Sequence, residues 1–488
     1  GYGGEPGSPW CLEQPGTPDL LMKETHSSAV DKPAGKADSQ VPGEDLQPAL
    51  PARPRPIHHG IRVNINGRRV TLRGLRSEPG GLWRWLFILG PGLIAASAGN
   101  DAGGITTYSA AGAQFGYNLI WVMVLITISL AVIQEMVARL GAASGQGLLD
   151  LIRERYGIGW AMLAISTILA ANIVLVISEF VGIGAAADLL GVNKYVVIPV
   201  AAALLWYLVI FGTYRWVERV FLLMTLVFFA YPAAAVMAKP DWLAVLRGAF
   251  VPVIRFDSAY LFLFVGLIGT TVTPYMQLFQ QSAIVEAGVA RRHYGPERVD
   301  AYFGAIFSNL MSIAMMIATA ATLYVVSGPR QLSSAADAAK ALEPVVGKAA
   351  VALFSVGLFG ASMLAAAVLP LATAYGVSEA FGLPKGISLD FRRAPLFFGL
   401  FTFILALGAV CALVPGLPVI QWLLFAQVLN GALLPVILIF ILRLCNDSHL
   451  VGDLKNSRLN NILGWGTFVL ITGAVIALLA SSVLGGVR

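Results

Sequence analysis

The chain has 488 residues, of which 57% are hydrophobic and only 12% are charged, and its mean hydropathy is +0.74. Soluble domains carry about a quarter of charged residues, so this composition excludes a soluble globular protein and predicts a polytopic membrane protein. The net charge of +6 does not indicate nucleic-acid binding, because loop-confined basic residues follow from the positive-inside rule. The three cysteines, Cys11, Cys411 and Cys445, lie far apart and predict neither a disulfide framework nor a zinc site.

Residues 1–80 are rich in proline, glycine and polar side chains and differ in composition from the rest of the chain. Such a segment buries too little apolar surface to offset its conformational entropy. Within it, the alternating stretch 61–72 around Asn66 and Gly67 is typical of a β-hairpin, which is marginally stable in isolation. We therefore predict a weakly structured cytoplasmic N-terminal tail over residues 1–80 and a transmembrane transporter domain over residues 81–488.

From residue 86 onwards the sequence predicts eleven membrane spans, each approaching or exceeding the roughly 20 residues that a transmembrane helix needs. The predicted spans are 86–114 (interrupted), 118–140, 159–187, 195–212, 216–238, 260–284 (interrupted), 301–326, 347–374, 395–414, 418–442 and 460–485. The loops on the side of the tail carry nineteen basic residues against eight on the other side, which predicts a cytoplasmic N-terminus and an extracellular C-terminus. Between spans seven and eight, the stretch 333–343 is typical of a short helix at the outer surface.

Span one is interrupted at mid-membrane depth by residues 100–104, Asn-Asp-Ala-Gly-Gly. A carboxylate in the hydrocarbon region costs about 3 kcal/mol or more, so Asp101 is expected to have a function. Gly103 and Gly104 favour an unwound helix with free backbone carbonyls, which is tolerated only where the backbone lines a cavity or is buried in protein. A carboxylate beside free carbonyl groups predicts a cation site.

Span six carries a second interruption at residues 269–277, Gly-Thr-Thr-Val-Thr-Pro-Tyr-Met-Gln. Pro274 removes a helical hydrogen bond and clashes with the preceding turn. Interruptions in spans one and six, five spans apart, are typical of an inverted-repeat transporter whose site lies at the membrane midplane. A proline kink in a glycine-packed interface would explain the second interruption without a ligand, but it would not require Asp101.

The stretches 90–121, 134–145, 153–156 and 269–282, together with Glu179 and Gln427, are similar to spans of the Nramp family of divalent-metal transporters. The resemblance covers about residues 80–485 and leaves out the tail. It implies an all-α polytopic fold with about eleven transmembrane helices, a 5+5 inverted repeat of the APC or leucine-transporter type, broken helices 1 and 6, and an extra helix 11. It also implies a multi-pass protein of the cell membrane.

By position, the resemblance implies a metal site formed by the carboxylate of Asp101, the carbonyls of Ala98 and Thr270, and the hydroxyl of Thr273. Gly104 stands where the family has an asparagine ligand, and Thr273 stands where it has a methionine. A site with oxygen ligands only favours a hard ion. Loss of two large side chains is expected to leave room for Mg²⁺, which keeps several of its waters. The chain therefore resembles the Nramp-related magnesium transporter branch, with Mn²⁺ as a second substrate.

Two polar residues of span ten have open roles. Gln427 either contacts the ion or its waters in some states, or makes a hydrogen bond between helices, and both readings fit equally well. Asn430 has the same alternatives, with the structural one favoured.

Proton coupling is predicted to be absent. Tyr275 and Gln280 replace two histidines of the family, and a phenol or an amide does not relay protons at physiological pH. Glu179 in span three remains, but Val176 stands where the family has its acidic partner. We therefore expect uptake driven by the ion gradient and the membrane potential.

The alternatives are a proton-coupled Mn²⁺/Fe²⁺ symporter of the conventional type and an amino-acid transporter of the same architecture. Asp101 argues against the latter because it would repel a substrate carboxylate. The sequence contains none of the catalytic motifs that an intramembrane enzyme would need, so we expect no enzyme activity and no resident cofactor. The expected partners are the transported ion and the lipid bilayer, and the expected state is a monomer.

Overall fold

A computed structural model describes residues 61–65, 68–72, 99–211, 230–289, 291, 294–332, 334–340, 350–387 and 389–485. The chain divides into two units, Gly1–Ser77 and Glu78–Arg488. In the first unit, β1 (Ile61–Ile65) pairs antiparallel with β2 (Arg68–Leu72), and Ile65 lies opposite Arg68. This pairing confirms the predicted hairpin, while the rest of the predicted tail lies outside the described residues.

The described part of the second unit is helical. The first eight helices are α1 (Ala102–Phe115), α2 (Ile120–Ser144), α3 (Leu148–Tyr156), α4 (Ile158–Leu189), α5 (Lys194–Phe211), α6 (Ala230–Met237), α7 (Trp242–Phe250) and α8 (Ser258–Thr271). The others are α9 (Pro274–Glu286), α10 (Tyr294–Thr319), α11 (Ala335–Lys340), α12 (Ala350–Phe381), α13 (Pro395–Ala412), α14 (Val419–Leu444), α15 (Ser448–Val451) and α16 (Arg458–Gly485). A π-helical turn, Ala320–Tyr324, and a final turn, Val325–Ser327, extend α10, and a 3-10 turn, Gly452–Leu454, follows α15.

Nine helices within the described residues are long and apolar enough to cross a membrane. They correspond to predicted spans two, three, four and six to eleven, with α8 and α9 together forming span six. Spans one and five are described only in part, through α1 and α6. The largest shifts of a boundary are at the start of span seven, where the helix begins at Tyr294 rather than near residue 301, and at the end of span eight, where it ends at Phe381 rather than near residue 374.

Short amphipathic helices between the spans are the main elements that the sequence did not predict. One face of α3 is buried, with the spacing of an amphipathic helix, and consists of Leu148, Leu149, Leu151 and Ile152. At the start of α7, the side chain of Asp241 accepts hydrogen bonds from two backbone amides and caps the helix. The predicted surface helix is present as α11, and Ala338 and Ala339 are buried, so one side of it packs into the protein.

A fully buried carboxylate, Glu379 of α12, joins three helices. It accepts a hydrogen bond from the backbone amide of Leu149 at the start of α3 (3.1 Å) and another from the hydroxyl of Ser282 in α9 (2.7 Å). Lys385 Nζ lies 3.3 Å from Glu379 Oε1. The backbone at Gly147 approaches this carboxylate so closely that a Cβ there would overlap it. Glu379 therefore fastens α9, the second half of interrupted span six, to α12 and α3.

We predict that Glu379→Ala destabilises the protein by about 3–5 kcal/mol, because it leaves the buried donors of Leu149 and Ser282 without their acceptor and removes one of the two carboxylates beside the Lys385 ammonium. The lower midpoint of thermal unfolding of the purified protein in detergent measures this effect. Glu154→Ala is the matched control, because Glu154 is exposed and a surface substitution usually changes stability by about 0.5 kcal/mol or less. Equal midpoints for the two variants would contradict the role assigned to Glu379.

Candidate metal centre

Asp101 lies at the N-terminus of α1 and caps it. Its backbone is extended (φ −70°, ψ 179°), and its carboxylate accepts a hydrogen bond from the backbone amide of Gly104. Gln427 Nε2 of α14 lies 2.9 Å from one carboxylate oxygen of Asp101 and 3.0 Å from the other. The side chain is fully buried, and the positive pole of the helix dipole stabilises its negative charge.

The second interruption lies where the sequence predicts it. Helix α8 ends at Thr271, Val272 and Thr273 are non-helical, and α9 restarts at Pro274, whose fixed φ suits the first position of a helix. The hydroxyl of Thr270 donates a hydrogen bond to the carbonyl of Gly99 at 3.0 Å. The two interruptions therefore meet each other.

The glycines of the first interruption permit close packing. A Cβ on Gly103 would overlap the side chain of Gln427, and a Cβ on Gly104 would lie 2.6 Å from both Gly99 O and Thr270 Oγ1. The expectation that Gly104 leaves open space for a hydrated ion is wrong for this conformation, because oxygens of Gly99, Asp101 and Thr270 surround that position. An ion with its waters would therefore have to separate these groups.

A second buried carboxylate lies beside the first. Glu179 of α4 is fully buried, and its Oε2 accepts a hydrogen bond at 3.1 Å from the amide of Ala102, the residue after Asp101. Its other oxygen, Oε1, has no hydrogen-bond partner in the part of the chain that the structure describes. Neighbouring negative charges in a low-dielectric interior repel each other strongly. The pair therefore favours a bound cation or a proton.

The remaining predicted site residues that the structure describes are buried, and their contacts differ. Asn430 Nδ2 donates to the carbonyl of Gly269 at 2.5 Å, which favours its structural role between α14 and α8. The hydroxyl of Thr273 and both amide atoms of Gln280 have no hydrogen-bond partner among the described residues. Tyr275 is fully buried in the first turn of α9. Ala98 lies outside the described residues.

The structure also reveals polar residues of α10 that the sequence analysis did not assign to the site. Asn100, next to Asp101, is hydrogen bonded to Ser308 and Ser312. Two serines four residues apart lie on one face of a helix. Their spacing within an apolar span was the sequence feature that could have indicated a polar contact there.

Within the described residues, no group of three or more His, Cys, Asp and Glu side chains is placed to hold a metal ion. The other oxygens around Asp101 include Gly99 O, Thr270 Oγ1 and Gln427 Oε1, and carbonyl, hydroxyl and amide oxygens are ligands for hard ions.

Within the described residues, the interruption of span six meets the non-helical residues before α1 beside a buried carboxylate, an arrangement typical of transporters of the inverted-repeat class. The family described as natural resistance-associated macrophage protein-like (Nramp) matches residues 92–481. The chain therefore belongs to the Nramp family.

Individual relatives agree with this assignment. A protein of Deinococcus radiodurans named divalent metal cation transporter MntH is 30% identical over 467 residues, which are 91% of this chain and 100% of that protein. The crystal structure of the Eremococcus coleocola manganese transporter has a TM-score of 0.67 at 18% identity, over 83% of this chain and 88% of that one. Mhp1, a transporter of the nucleobase-cation-symport-1 family, has a TM-score of 0.52 at 16% identity, over 81% and 91% of the two chains. The predicted inverted-repeat fold is thus confirmed.

We predict that Gly104→Ala abolishes transport, because the new methyl group would push apart the two interruptions. Gly473→Ala is the matched control: Gly473 lies within α16, a Cβ there would meet nothing within 4 Å, and alanine favours a helix. Uptake into proteoliposomes and thermal unfolding of both variants provide the measurements. Full transport by Gly104→Ala would show that the close packing is not needed.

Proposed function

We propose that this protein carries divalent metal cations across the cell membrane by alternating access, with Mg²⁺ as the preferred substrate and Mn²⁺ also accepted. The observation that carries the proposal is the pair of buried carboxylates, Asp101 and Glu179, at the interruption of span one. Neither carboxylate has a salt-bridge partner within the described residues, and when both are ionised their combined charge equals that of one divalent cation. The relative from Deinococcus radiodurans, a divalent metal cation transporter by name, supports the same substrate class.

Gln427 offers a way to exchange an internal contact for an ion. Its Nε2 donates to both oxygens of Asp101, while its Oε1 has no hydrogen-bond partner among the described residues. Rotation of the terminal amide by about 180° presents the oxygen instead, since an amide has a donor and an acceptor side. We propose that Asp101, Gln427 and the hydroxyl of Thr273 hold the ion together with the carbonyls of Ala98 and Thr270.

The preference for Mg²⁺ rests on the two substitutions in the family's metal motifs. Thr273 takes the position of the methionine, so an oxygen replaces a soft sulfur that favours transition metals. Gly104 takes the position of the asparagine and removes one ligand, which leaves the ion more of its waters once the groups around Gly104 separate.

Transport without proton coupling is the second part of the proposal. The side chains at the positions of the family's histidines are Tyr275 and Gln280, which do not exchange protons near neutral pH. An inward-negative potential supplies about 4.6 kcal/mol per 100 mV to a divalent ion, twice the value for a single charge. The cell can therefore accumulate the ion without protons.

The alternative is a proton-coupled Mn²⁺/Fe²⁺ symporter, and Glu179 is the observation that favours it. This carboxylate lies beside Asp101, and its Oε1 has no hydrogen-bond partner among the described residues, as expected of a proton acceptor. The solved manganese transporter of Eremococcus coleocola points towards Mn²⁺ as well.

We also propose a membrane topology and an oligomeric state for the protein. The basic residues of the loops support a cytoplasmic N-terminus and an extracellular C-terminus. The site is built from helices of one chain, so a monomer suffices. No resident cofactor and no covalent chemistry are needed.

We predict that Mg²⁺ competes at least as strongly as Mn²⁺, Fe²⁺ and Ca²⁺ for uptake into proteoliposomes, because the site has oxygen ligands only. Asp101→Asn is the negative control. It preserves the N-cap of α1 and removes the carboxylate, and it is expected to abolish uptake while the protein remains folded. Strong preference for Mn²⁺ or Fe²⁺ over Mg²⁺ would support the alternative symporter.

We also predict that the lumen of the liposomes does not acidify during Mg²⁺ or Mn²⁺ uptake, because the family's histidines are absent. A pH-sensitive dye trapped in the liposomes measures the pH of the lumen. The Glu179→Gln variant shows whether this carboxylate carries a proton during metal uptake. Acidification that follows metal uptake in the wild type and disappears in Glu179→Gln would establish proton coupling.

A further inference from the structure

The residue before Asp101 is anchored to span seven by its side chain. Asn100 is 1% exposed, and its Nδ2 lies 3.1 Å from the carbonyl oxygen and 2.9 Å from the hydroxyl of Ser308. Its Oδ1 accepts a hydrogen bond from the hydroxyl of Ser312 at 2.6 Å. The amide of Asn100 is thus held on both its donor side and its acceptor side by one face of α10.

Gly99, the residue before Asn100, is held by a side chain of another helix. The hydroxyl of Thr270 in α8 donates to Gly99 O at 3.0 Å, and the phenol of Tyr108 in α1 lies 3.3 Å from the hydroxyl of Thr271. Residues 99–101 are not helical, and the first helical hydrogen bond of α1 runs from Ile105 N to Asp101 O. The backbone at this interruption therefore depends on side chains of α8 and α10 for its position.

We propose that Ser308 and Ser312 are positioning residues of the ion site, which act through Asn100 to set the place and direction of the Asp101 carboxylate. The inference rests on the proposed function and extends it to span seven. A binding side chain has to be held within about 0.5 Å of its working position by the groups behind it. Because the first helical hydrogen bond of α1 begins at Asp101, the hydrogen bonds to α10 are what hold Asn100, the residue directly before it.

The alternative is that the serines only join helices, as polar side chains often do in membranes. Asn309, the neighbouring residue of α10, provides a direct comparison. It is 1% exposed, and its Nδ2 donates to Thr127 Oγ1 of α2 at 3.0 Å, away from the interruption. Loss of this hydrogen bond removes a polar contact between two helices, as the serine variant does, but it leaves the contacts of residues 99–101 unchanged.

The test compares Ser312→Ala with Asn309→Ala in the full-length protein. In proteoliposomes with Mg²⁺ or Mn²⁺, Ser312→Ala is expected to raise the KM of the transported ion about three- to tenfold, the value of one hydrogen bond, with Vmax within about twofold of wild type. Asn309→Ala is expected to lower thermal stability to a similar extent and to leave KM unchanged. An unchanged KM in Ser312→Ala, or an equal rise in both variants, would overturn the proposal.

A second measurement reads the position of Asp101 without any transported ion. A membrane-permeant carbodiimide modifies accessible carboxyl groups, and mass spectrometry gives the rate at Asp101. Faster modification in Ser312→Ala than in wild type and Asn309→Ala supports the positioning role, and equal rates in all three contradict it. If wild-type protein carries neither Mg²⁺ nor Mn²⁺, the proposed function fails, while this rate still decides whether α10 positions Asp101.

Discussion

The site is organised by the buried carboxylate of Asp101, which has no salt-bridge partner in the part of the chain that the structure describes. Asp101 is stabilised by the start of α1 and by an amide group of Gln427, and both are weaker partners than a cation. Glu179 adds a second carboxylate against the next residue of the chain. A protein interior tolerates such a pair when a cation or a proton arrives to balance it, which is the physical condition for a cation transporter.

Close contact of backbones is what brings the parts of the site together. A Cβ on Gly269 would overlap the backbone of α14 at Gln427, and one on Gly103 would overlap the side chain of Gln427. The interruptions of spans one and six and the middle of span ten can therefore meet around Asp101. Small residues allow membrane helices to approach in this way, because lipid provides no hydrophobic force that would press larger ones together. The same tight packing means that this conformation has to loosen before it admits an ion with its waters.

The helices behind the site fix it from several directions. Ser308 and Ser312 of span seven hold the residue before Asp101, and Glu379 of span eight holds the far part of α9 through Ser282. These contacts join the non-helical residues before α1 to α10, and α9 to α12. A shift of either interrupted helix therefore changes hydrogen bonds on more than one neighbour, which suits a site that moves between discrete states.

The sequence by itself determined the membrane class, nine of the spans that the structure describes, the second interruption and the burial of Asp101. These features follow from local composition: apolar length, proline, glycine and a charge in an apolar stretch. Only the tertiary structure decided which donors meet Asp101, that Asn430 bonds to Gly269, and that no open space lies beside Gly104. Those outcomes depend on which faces of the helices pack against each other. The helices concerned lie far apart in the chain, so the local pattern of residues does not say which side chains come into contact.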